Sequence, residues 1–248
     1  MKTTWMILLA TLTLVACKKE SDDFDNNSSD YDHSRNVGAS SNDLLSAAKY
    51  KGVEIELLYM PGFAPVAGVT DALNNFMTAR MNKDNYLITL REIPASGSAS
   101  LTLAQIRDIE KNRRQKFADG TTIRLSIIMT DGSYSEAGVL GIAYRNTSIA
   151  LMGGTIHSNS GGFGQTSRLK LERTVIEHEL SHLLGLVDLG SPLQSAHKDV
   201  AHGNHCTNNS CLMYYASETT DALGFLVTGN VPSLDAACLA DLRANGGK

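Results

Sequence analysis

Apolar and polar residues alternate in three stretches of the chain, and this period of two predicts β-strands with one buried face. The first stretch is VEIELLYM at residues 53–60, which ends at the turn-forming pair Pro61–Gly62. The second is NYLITLREI at residues 85–93, and the third is TTIRLSIIM at residues 121–129. We therefore expect three strands in the first half of the chain.

The segments between these strands have the spacing of amphipathic helices. Thr102 and Gln105 have the spacing of a capping box, which predicts where the second of these helices begins. The apolar residues of the first helix fall on one face: Val69, Leu73, Phe76 and Met77. This alternation of strands and helices predicts parallel strands with helices packed on the faces of the sheet.

Three further patterns follow in the second half of the chain. GVLGIAYRNTSIALMGG at residues 138–154 predicts two short strands joined tightly at Arg145–Asn146. The Gly- and Ser-rich residues 153–167 predict a mobile loop that precedes a helix with an apolar stripe. SLDAACLADLRANG at residues 233–246 predicts a C-terminal helix that buries Cys238. Together these patterns predict an α/β fold built on a twisted, mixed sheet.

The N-terminal residues have a pattern of their own. Lys2 is followed by an apolar run too short to span a membrane, which predicts a removable signal peptide at residues 1–16. Its ending, Leu-Val-Ala-Cys, resembles the bacterial lipobox, which implies that Cys17 carries lipid and anchors the protein in the cell envelope, at the outer membrane, facing the periplasm or the surface. An ordinary secretory signal with an incidental Cys17 is the alternative. The acidic, polar residues 17–41 predict a disordered tether ahead of a folded domain at residues 42–248.

Composition and charge add limits to this picture. A chain of 248 residues with 42% hydrophobic and 19% charged residues fits a soluble globular protein. Removal of the signal deletes Lys2 from the 22 basic residues, which leaves 21 against 26 acidic ones without a basic patch. Nucleic acid is therefore not an expected partner. Because neither a repeat nor a linker follows Ser41, we predict one domain and a monomer.

The segment VIEHELSHLLG at residues 175–185 places a metal-binding pattern on the predicted helix. His178 and His182 are four residues apart, so both imidazoles project from one helical face and can bind one ion, Zn²⁺. Glu179 is placed to take a proton from water and to pass it to the leaving amine. Gly185 can end the helix in a left-handed turn. The pattern predicts a hydrolase that uses zinc.

This segment resembles the metzincin clan of zinc endopeptidases, whose pattern is His-Glu-x-x-His-x-x-Gly-x-x-His or Asp, followed by a Met-turn. The chain matches the pattern at five positions: His178, Glu179, His182, Gly185 and Asp188. The resemblance implies a zincin-like α+β fold with an active-site helix and a small C-terminal subdomain that ends in a helix. It also implies that residues 138–145 form an antiparallel edge strand, which would pair with an extended protein or peptide substrate.

A second resemblance concerns the third metal ligand. His205-Cys206-x4-Cys211-x-Met213 is similar to the archaemetzincin branch, in which the His before the first Cys is a ligand. His205 stands twenty residues after Gly185, so residues 187–204 would form an inserted loop. Asp188 has the right spacing from the helix, and His205 has the right spacing to the Met-turn. Nitrogen ligation is more usual at catalytic zinc, which favours His205, but Asp188 stays open.

The Met-turn region supplies further candidates. The resemblance implies that Met213 forms an apolar floor beneath the ligands and that the hydroxyl of Tyr215 faces the metal and stabilises the oxyanion. Packing of Tyr215 as an ordinary aromatic residue is the alternative. Cys206 and Cys211 are the nearest cysteine pair, and outside the cytoplasm they predict a disulfide. The archaemetzincin pattern has a further Cys-x-x-Cys that this chain lacks, so its all-Cys second zinc site is not expected.

Two function classes stay open at this point. The first is a lipid-anchored zinc metalloendopeptidase in which Glu179 is the general base. The second is a surface lipoprotein that keeps the zincin fold and the metal without turnover. Glu179 favours the enzyme, because a structural zinc site is closed by four protein ligands and needs no base.

Overall fold

The computed structural model describes residues 31–220 and 223–248. The predicted signal peptide, the predicted lipidation site at Cys17 and residues 17–30 of the predicted tether lie outside the described residues. Among the helices described, none has both the length and the apolar character needed to cross a membrane.

A five-stranded sheet forms the centre of the fold. The strands described are β1 (Gly52–Tyr59), β2 (Asn85–Glu92), β3 (Ser100–Leu101), β4 (Thr122–Thr130), β5 (Ser133–Tyr134), β6 (Gly141–Arg145) and β7 (Ser148–Met152). The main sheet has the order β2-β1-β4-β7-β6, and β3 pairs with β5 in a small parallel sheet. β2, β1, β4 and β7 run parallel, whereas the edge strand β6 is antiparallel to β7. This mixed sheet confirms the predicted fold class and its antiparallel edge.

Helices connect and cover these strands. They are α1 (Ser41–Leu45), α2 (Val69–Arg80), α3 (Leu103–Arg113), α4 (Gly153–Ser158), α5 (Arg168–Leu183), α6 (Leu223–Thr228), α7 (Ala236–Ala244) and a 3-10 helix at Tyr215–Glu218. The capping box predicted at Thr102 and Gln105 begins α3. α4 lies inside the segment predicted as a mobile loop, because Ile156 is fully buried in the core and holds that turn of helix in place.

Strand β1 is buried on both faces, although its alternating pattern predicted one exposed face. Glu54 and Glu56 occupy the face that was expected to be exposed. Arg124 Nε lies 2.6 Å from Glu54 Oε2, and Arg91 Nη2 lies 2.7 Å from Glu56 Oε1. β1 is a central strand between β2 and β4, so its acidic side chains are covered by neighbours and are paired rather than solvated.

The last part of the predicted tether, residues 31–41, packs against the domain. Tyr31 is 6% exposed and His33 is fully buried. His33 Nδ1 lies 2.8 Å from Thr147 Oγ1, and the backbone N–H of Ala118 donates to His33 Nε2 at 3.0 Å. Burial lowers the pKa of His33 to about 2, so it is neutral near neutral pH. The prediction of disorder was wrong for these residues, because two aromatic rings bury enough surface to order an otherwise polar segment.

Candidate metal centre

Helix α5 carries the metal-binding pattern into the centre of the domain. The side chain of Ser167 caps the helix by accepting a hydrogen bond from Lys170 N at 3.3 Å. The helix ends at Leu183, and Gly185 follows in the left-handed conformation at φ 81°, as predicted. A Cβ on Gly185 would lie 2.6 Å from Ser191 N, so a side chain is excluded by space as well as by conformation.

The structure brings three histidines together. His178 Nε2 and His182 Nε2 are 3.0 Å apart. The ring of His205 lies 5.3 Å from that of His178 and 5.1 Å from that of His182, measured between centroids. One ligand atom from each histidine and one carboxylate oxygen of Glu218 all lie within 4.8 Å of one another. These four side chains form what we call the histidine group.

Backbone carbonyls orient two of these rings. His178 Nδ1 lies 2.7 Å from the carbonyl oxygen of Leu212, and His205 Nδ1 lies 2.6 Å from that of His202. A carbonyl can only accept, so each Nδ1 carries the proton and each Nε2 of a neutral ring presents a lone pair to the centre of the group. Metal-binding histidines commonly have this second hydrogen bond.

The histidine group fits a metal ion. His178 Nε2 lies 3.0 Å from His182 Nε2, and a cation bound beside both atoms would accept a lone pair from each nitrogen. His205 Nε2 is buried and makes no hydrogen bond within the part of the chain that is described. Three imidazoles and one carboxylate are a donor set that zinc accepts.

The inserted loop at residues 187–204 returns the chain to the site. This path is the one required if His205 is the third metal ligand. The side-chain amide of Asn204 donates to the carbonyl oxygen of Val187 at 2.9 Å and thereby closes the base of the loop. Farther along, His197 Nε2 lies 2.8 Å from Asp241 Oδ2 on α7. The two ends of the loop are therefore held close together, and its middle is fixed to the C-terminal helix.

Asp188 lies apart from the three histidines. Its backbone has φ 70°, directly after Val187 at φ 52°, and its side chain is 57% exposed. The carboxylate Oδ2 lies 2.8 Å from Lys198 Nζ. The backbone turn thus directs Asp188 outward, and the structure brings His205 rather than Asp188 to His178.

Glu179 lies beside the histidine group on α5. Its side chain is fully buried, and neither carboxylate oxygen makes a hydrogen bond within the described residues. Burial raises the pKa of Glu179 well above its ordinary value, and the charge of Glu218 adds to this shift, while the backbone amide of Ala143 opposes it. A Cβ on Gly141 of β6 would lie 3.0 Å from Glu179 Oε1, so the glycine lets the edge strand approach this carboxylate.

The pKa values of the group depend on burial and on Glu218. Burial lowers the pKa of His182 to about 4. Burial also acts to lower the pKa of His205, but the Glu218 carboxylate beside it outweighs this effect, and the net shift is upward. Although burial alone would raise the pKa of Glu218, the three surrounding imidazoles hold it well below its ordinary range.

Glu218 was not predicted from the sequence. It is the last residue of the 3-10 helix at Tyr215–Glu218, and this helix begins two residues after Met213. An isolated acidic residue after a Met-turn has no fixed spacing to the histidines, so the sequence contains little signal for it. The structure brings it to the site through the path of the chain after Met213.

The two other Met-turn candidates occupy different surroundings. Met213 is fully buried, and its carbonyl oxygen accepts a hydrogen bond from Cys206 N at 2.7 Å. The ring of Tyr215 stacks on that of His202, with 3.9 Å between centroids and an interplanar angle of 5°. Tyr215 therefore packs as an aromatic residue here, and its oxyanion role stays a prediction.

A second group of possible ligands begins with Cys206, the residue after His205. One ligand atom from each of Cys206, Cys211, Cys238 and Asp235 lies within 4.8 Å of the others, and we call these residues the cysteine group. The three cysteines are buried free thiols. Cys211 Sγ lies 3.7 Å from Cys238 Sγ, and Cys206 Sγ lies 3.4 Å from Asp235 Oδ2.

The predicted Cys206–Cys211 disulfide is therefore not present in the structure. Each of these two sulfurs faces a different partner, namely Asp235 for Cys206 and Cys238 for Cys211. Burial raises the pKa of the Cys206 thiol to about 12, whereas the hydrogen bond from Cys238 lowers that of Cys211. Asp235 and Cys238 have the spacing of a Cys-x-x-Cys pair with Asp in the first position.

Comparisons with known proteins give matches among solved structures alone. No protein-family model matches the chain, and no curated protein matches it. Among solved structures, archaemetzincin from Methanopyrus kandleri is 14% identical with a TM-score of 0.48, over 79% of this chain and 96% of that chain. Archaemetzincin from Archaeoglobus fulgidus, complexed with malonate, is 14% identical with a TM-score of 0.44, over 77% of this chain and 99% of that chain.

Proposed function

We propose that this protein is a zinc-dependent endopeptidase. The observation that carries the proposal is the buried carboxylate of Glu179, whose oxygens make no hydrogen bond among the described residues, next to three convergent histidines. An unpaired buried carboxylate costs stability, and its pKa is raised, which is the arrangement expected of a general base. A site that only held a metal would not need this residue.

The side chains at the site have separate tasks in this proposal. His178, His182 and His205 would hold the ion, and backbone carbonyls fix the rings of His178 and His205. A zinc ion there would act as a Lewis acid that polarises the scissile carbonyl and raises the acidity of water. Glu179 accepts the proton of the attacking water and donates it to the leaving amine. Hydrolysis then proceeds without a covalent acyl-enzyme.

The edge strand β6 supports peptide as the substrate class. Its outer side is not paired by another strand of the five-stranded sheet, so an extended peptide could add to it by main-chain hydrogen bonds. Gly141 brings this strand against Glu179, so a peptide bond held there would lie near the base. The lipid anchor on Cys17 and the place in the bacterial cell envelope belong to the same proposal and are supported by the pattern of residues 1–17.

One observation favours the alternative of a non-catalytic metal-binding lipoprotein. Glu218 adds a fourth protein donor to the three histidines, and four protein donors are typical of a structural zinc site. The two functions differ in what Glu179 does. The enzyme requires its carboxylate, whereas the metal-binding protein does not.

The variant Glu179→Gln tests the proposal in the full-length chain. We expect zinc content to be kept and kcat/KM on a fluorogenic peptide library and on casein to fall about 10²- to 10⁴-fold, because the base is removed. Glu177→Gln is the matched control, since Glu177 lies two residues away on α5 and pairs with Arg173 instead. If the zinc-loaded wild-type chain cleaves neither substrate, the alternative replaces the proposal.

A further inference from the structure

Glu218 is the donor that the proposed function leaves unused. Its Oε2 lies 3.5 Å from His178 Nε2 and 3.7 Å from His182 Nε2, and its Oε1 lies 3.4 Å from His205 Nε2. Glu218 has no direct contact with a lysine or arginine among its described ion pairs. We propose that Glu218 is the fourth protein ligand of the metal and that it closes the site until it is displaced.

The distances among the four donors support ligation. In a tetrahedral zinc site with bonds of about 2.0 to 2.2 Å, neighbouring donor atoms are roughly 3.3 to 3.6 Å apart. The distances from Glu218 to the histidines, 3.4 to 3.7 Å, lie near this range, and His178 and His182 are 3.0 Å apart. The four side chains therefore lie close enough together to share one ion.

The orientation of the rings makes the same point. The Nδ1 atoms of His178 and His205 each lie against a backbone carbonyl oxygen, so Nε2 is the ring nitrogen that each histidine turns toward Glu218. Imidazole Nε2 atoms and carboxylate oxygens are both donor atoms that zinc accepts. A single cation would therefore bind all of them from the centre of the group.

Main-chain hydrogen bonds hold Glu218 in this position. The N–H of Leu140 donates to the carbonyl oxygen of Glu218 at 2.8 Å, and the N–H of Thr220 donates to that of Gly138 at 2.8 Å. Residues 218–220, which we call the strap, therefore pair antiparallel with the three residues directly before β6. The strap lies on the same edge of the sheet that an extended substrate would use.

The strap connects closure of the metal site with access to the edge. Glu218 is 28% exposed, whereas the histidine side chains are 0%, 8% and 9% exposed, so it is the ligand nearest to solvent. A peptide that pairs with β6 and extends past its start would compete with the strap for the same backbone groups. Displacement of the strap would free the edge and withdraw the Glu218 carboxylate together. This regulation rests on the proposed function, but ligation by Glu218 does not.

Zinc affinity in the full-length variant Glu218→Gln tests ligation directly. We expect competition with a chromophoric chelator to show zinc binding weakened by about tenfold or more, because a charged ligand is replaced by an amide. Glu92→Gln is the control, since Glu92 is exposed on β2 at the opposite edge of the sheet. Asp235→Asn, measured in parallel, separates this effect from metal held by the cysteine group. Unchanged affinity in Glu218→Gln would overturn the proposal.

The strap itself is tested without any change to the carboxylate. Thr220→Pro removes the N–H that donates to Gly138, whereas Thr220→Ala keeps it. We expect the proline variant to bind zinc more weakly than the alanine variant and to hydrolyse peptide severalfold faster at saturating zinc. Equal zinc affinity and equal rates in the two variants would show that the strap does not hold Glu218 on the metal.

The outcomes separate this inference from the proposed function. Weaker zinc binding and faster hydrolysis in Glu218→Gln support both ligation and closure. Weaker zinc binding with hydrolysis in neither variant nor wild type supports ligation and overturns the peptidase. Weaker zinc binding with slower hydrolysis at saturating zinc overturns closure, because it shows that the ligand assists turnover.

Discussion

The histidine group and the cysteine group lie next to each other and share the same stretch of chain. His205 belongs to the first and Cys206, the next residue, belongs to the second. Each group has four possible ligand atoms within 4.8 Å of one another. They differ in what surrounds the donors. Glu179 lies beside the histidine group with no hydrogen bond among the described residues, whereas Asp235 in the cysteine group caps α7 through Cys238 N at 2.9 Å.

This difference separates a site suited to chemistry from one suited to structure. Three cysteine sulfurs and one carboxylate would fill all four positions around a zinc ion and leave no position for a reactant. Three imidazoles with a partly exposed fourth donor leave a position that can be opened. The cysteine group also fixes the chain that delivers His205, because Cys206 N donates to the carbonyl oxygen of Met213 at 2.7 Å.

The largest effect is expected from His205→Ala, which removes one donor from the histidine group and none from the cysteine group. We expect zinc at the histidine group to be lost and hydrolysis to fall to background, because two helical histidines and one carboxylate do not hold the ion firmly. Zinc content by mass spectrometry and peptide cleavage measure the two effects. Retention of full zinc content would show that His205 is not a ligand.

The variant Asp235→Asn gives the converse test. It keeps the cap on α7, since Asn caps helices about as well as Asp, but it removes the negative charge from the cysteine group. We expect any zinc that binds to this group to bind about 10- to 100-fold more weakly and the melting temperature of the zinc-loaded protein to fall, with kcat/KM on peptides unchanged. A fall in kcat/KM at full occupancy of the histidine group would mean that the two groups are not separable in function.

Features that depend on neighbouring residues were predictable from the sequence. The helix, its two histidines and the left-handed turn at Gly185 follow from spacing within one segment, because side chains four residues apart share a helical face. The mixed sheet was also predictable, since each strand has its own pattern. β1 shows the limit, because burial of Glu54 and Glu56 depends on arginines supplied by other strands.

Features that depend on the path of the chain were not predictable in the same way. The ordering of Tyr31 and His33 depends on a surface formed by distant residues, such as Thr147. Glu218 reaches the histidines only because residues 218–220 pair with the chain before β6. The place of Asp235 in the cysteine group was not predictable from the archaemetzincin pattern, because that pattern has a cysteine where this chain has Asp, three residues before Cys238.

The smallest effect is expected from Asp188→Ala, which was the alternative for the third ligand. Asp188 is 57% exposed and pairs with Lys198, so its removal breaks a surface ion pair that contributes about 0 to 1 kcal/mol to the free energy of unfolding. Zinc content and peptide hydrolysis should match the wild type, in contrast to His205→Ala. Asp188 became a candidate through its spacing from His182. In the structure this position lies in a turn with positive φ, which directs the Asp188 side chain to solvent. Loss of zinc in Asp188→Ala with zinc kept in His205→Ala would require a different path of the inserted loop, in which Lys198 releases Asp188 to the histidine group.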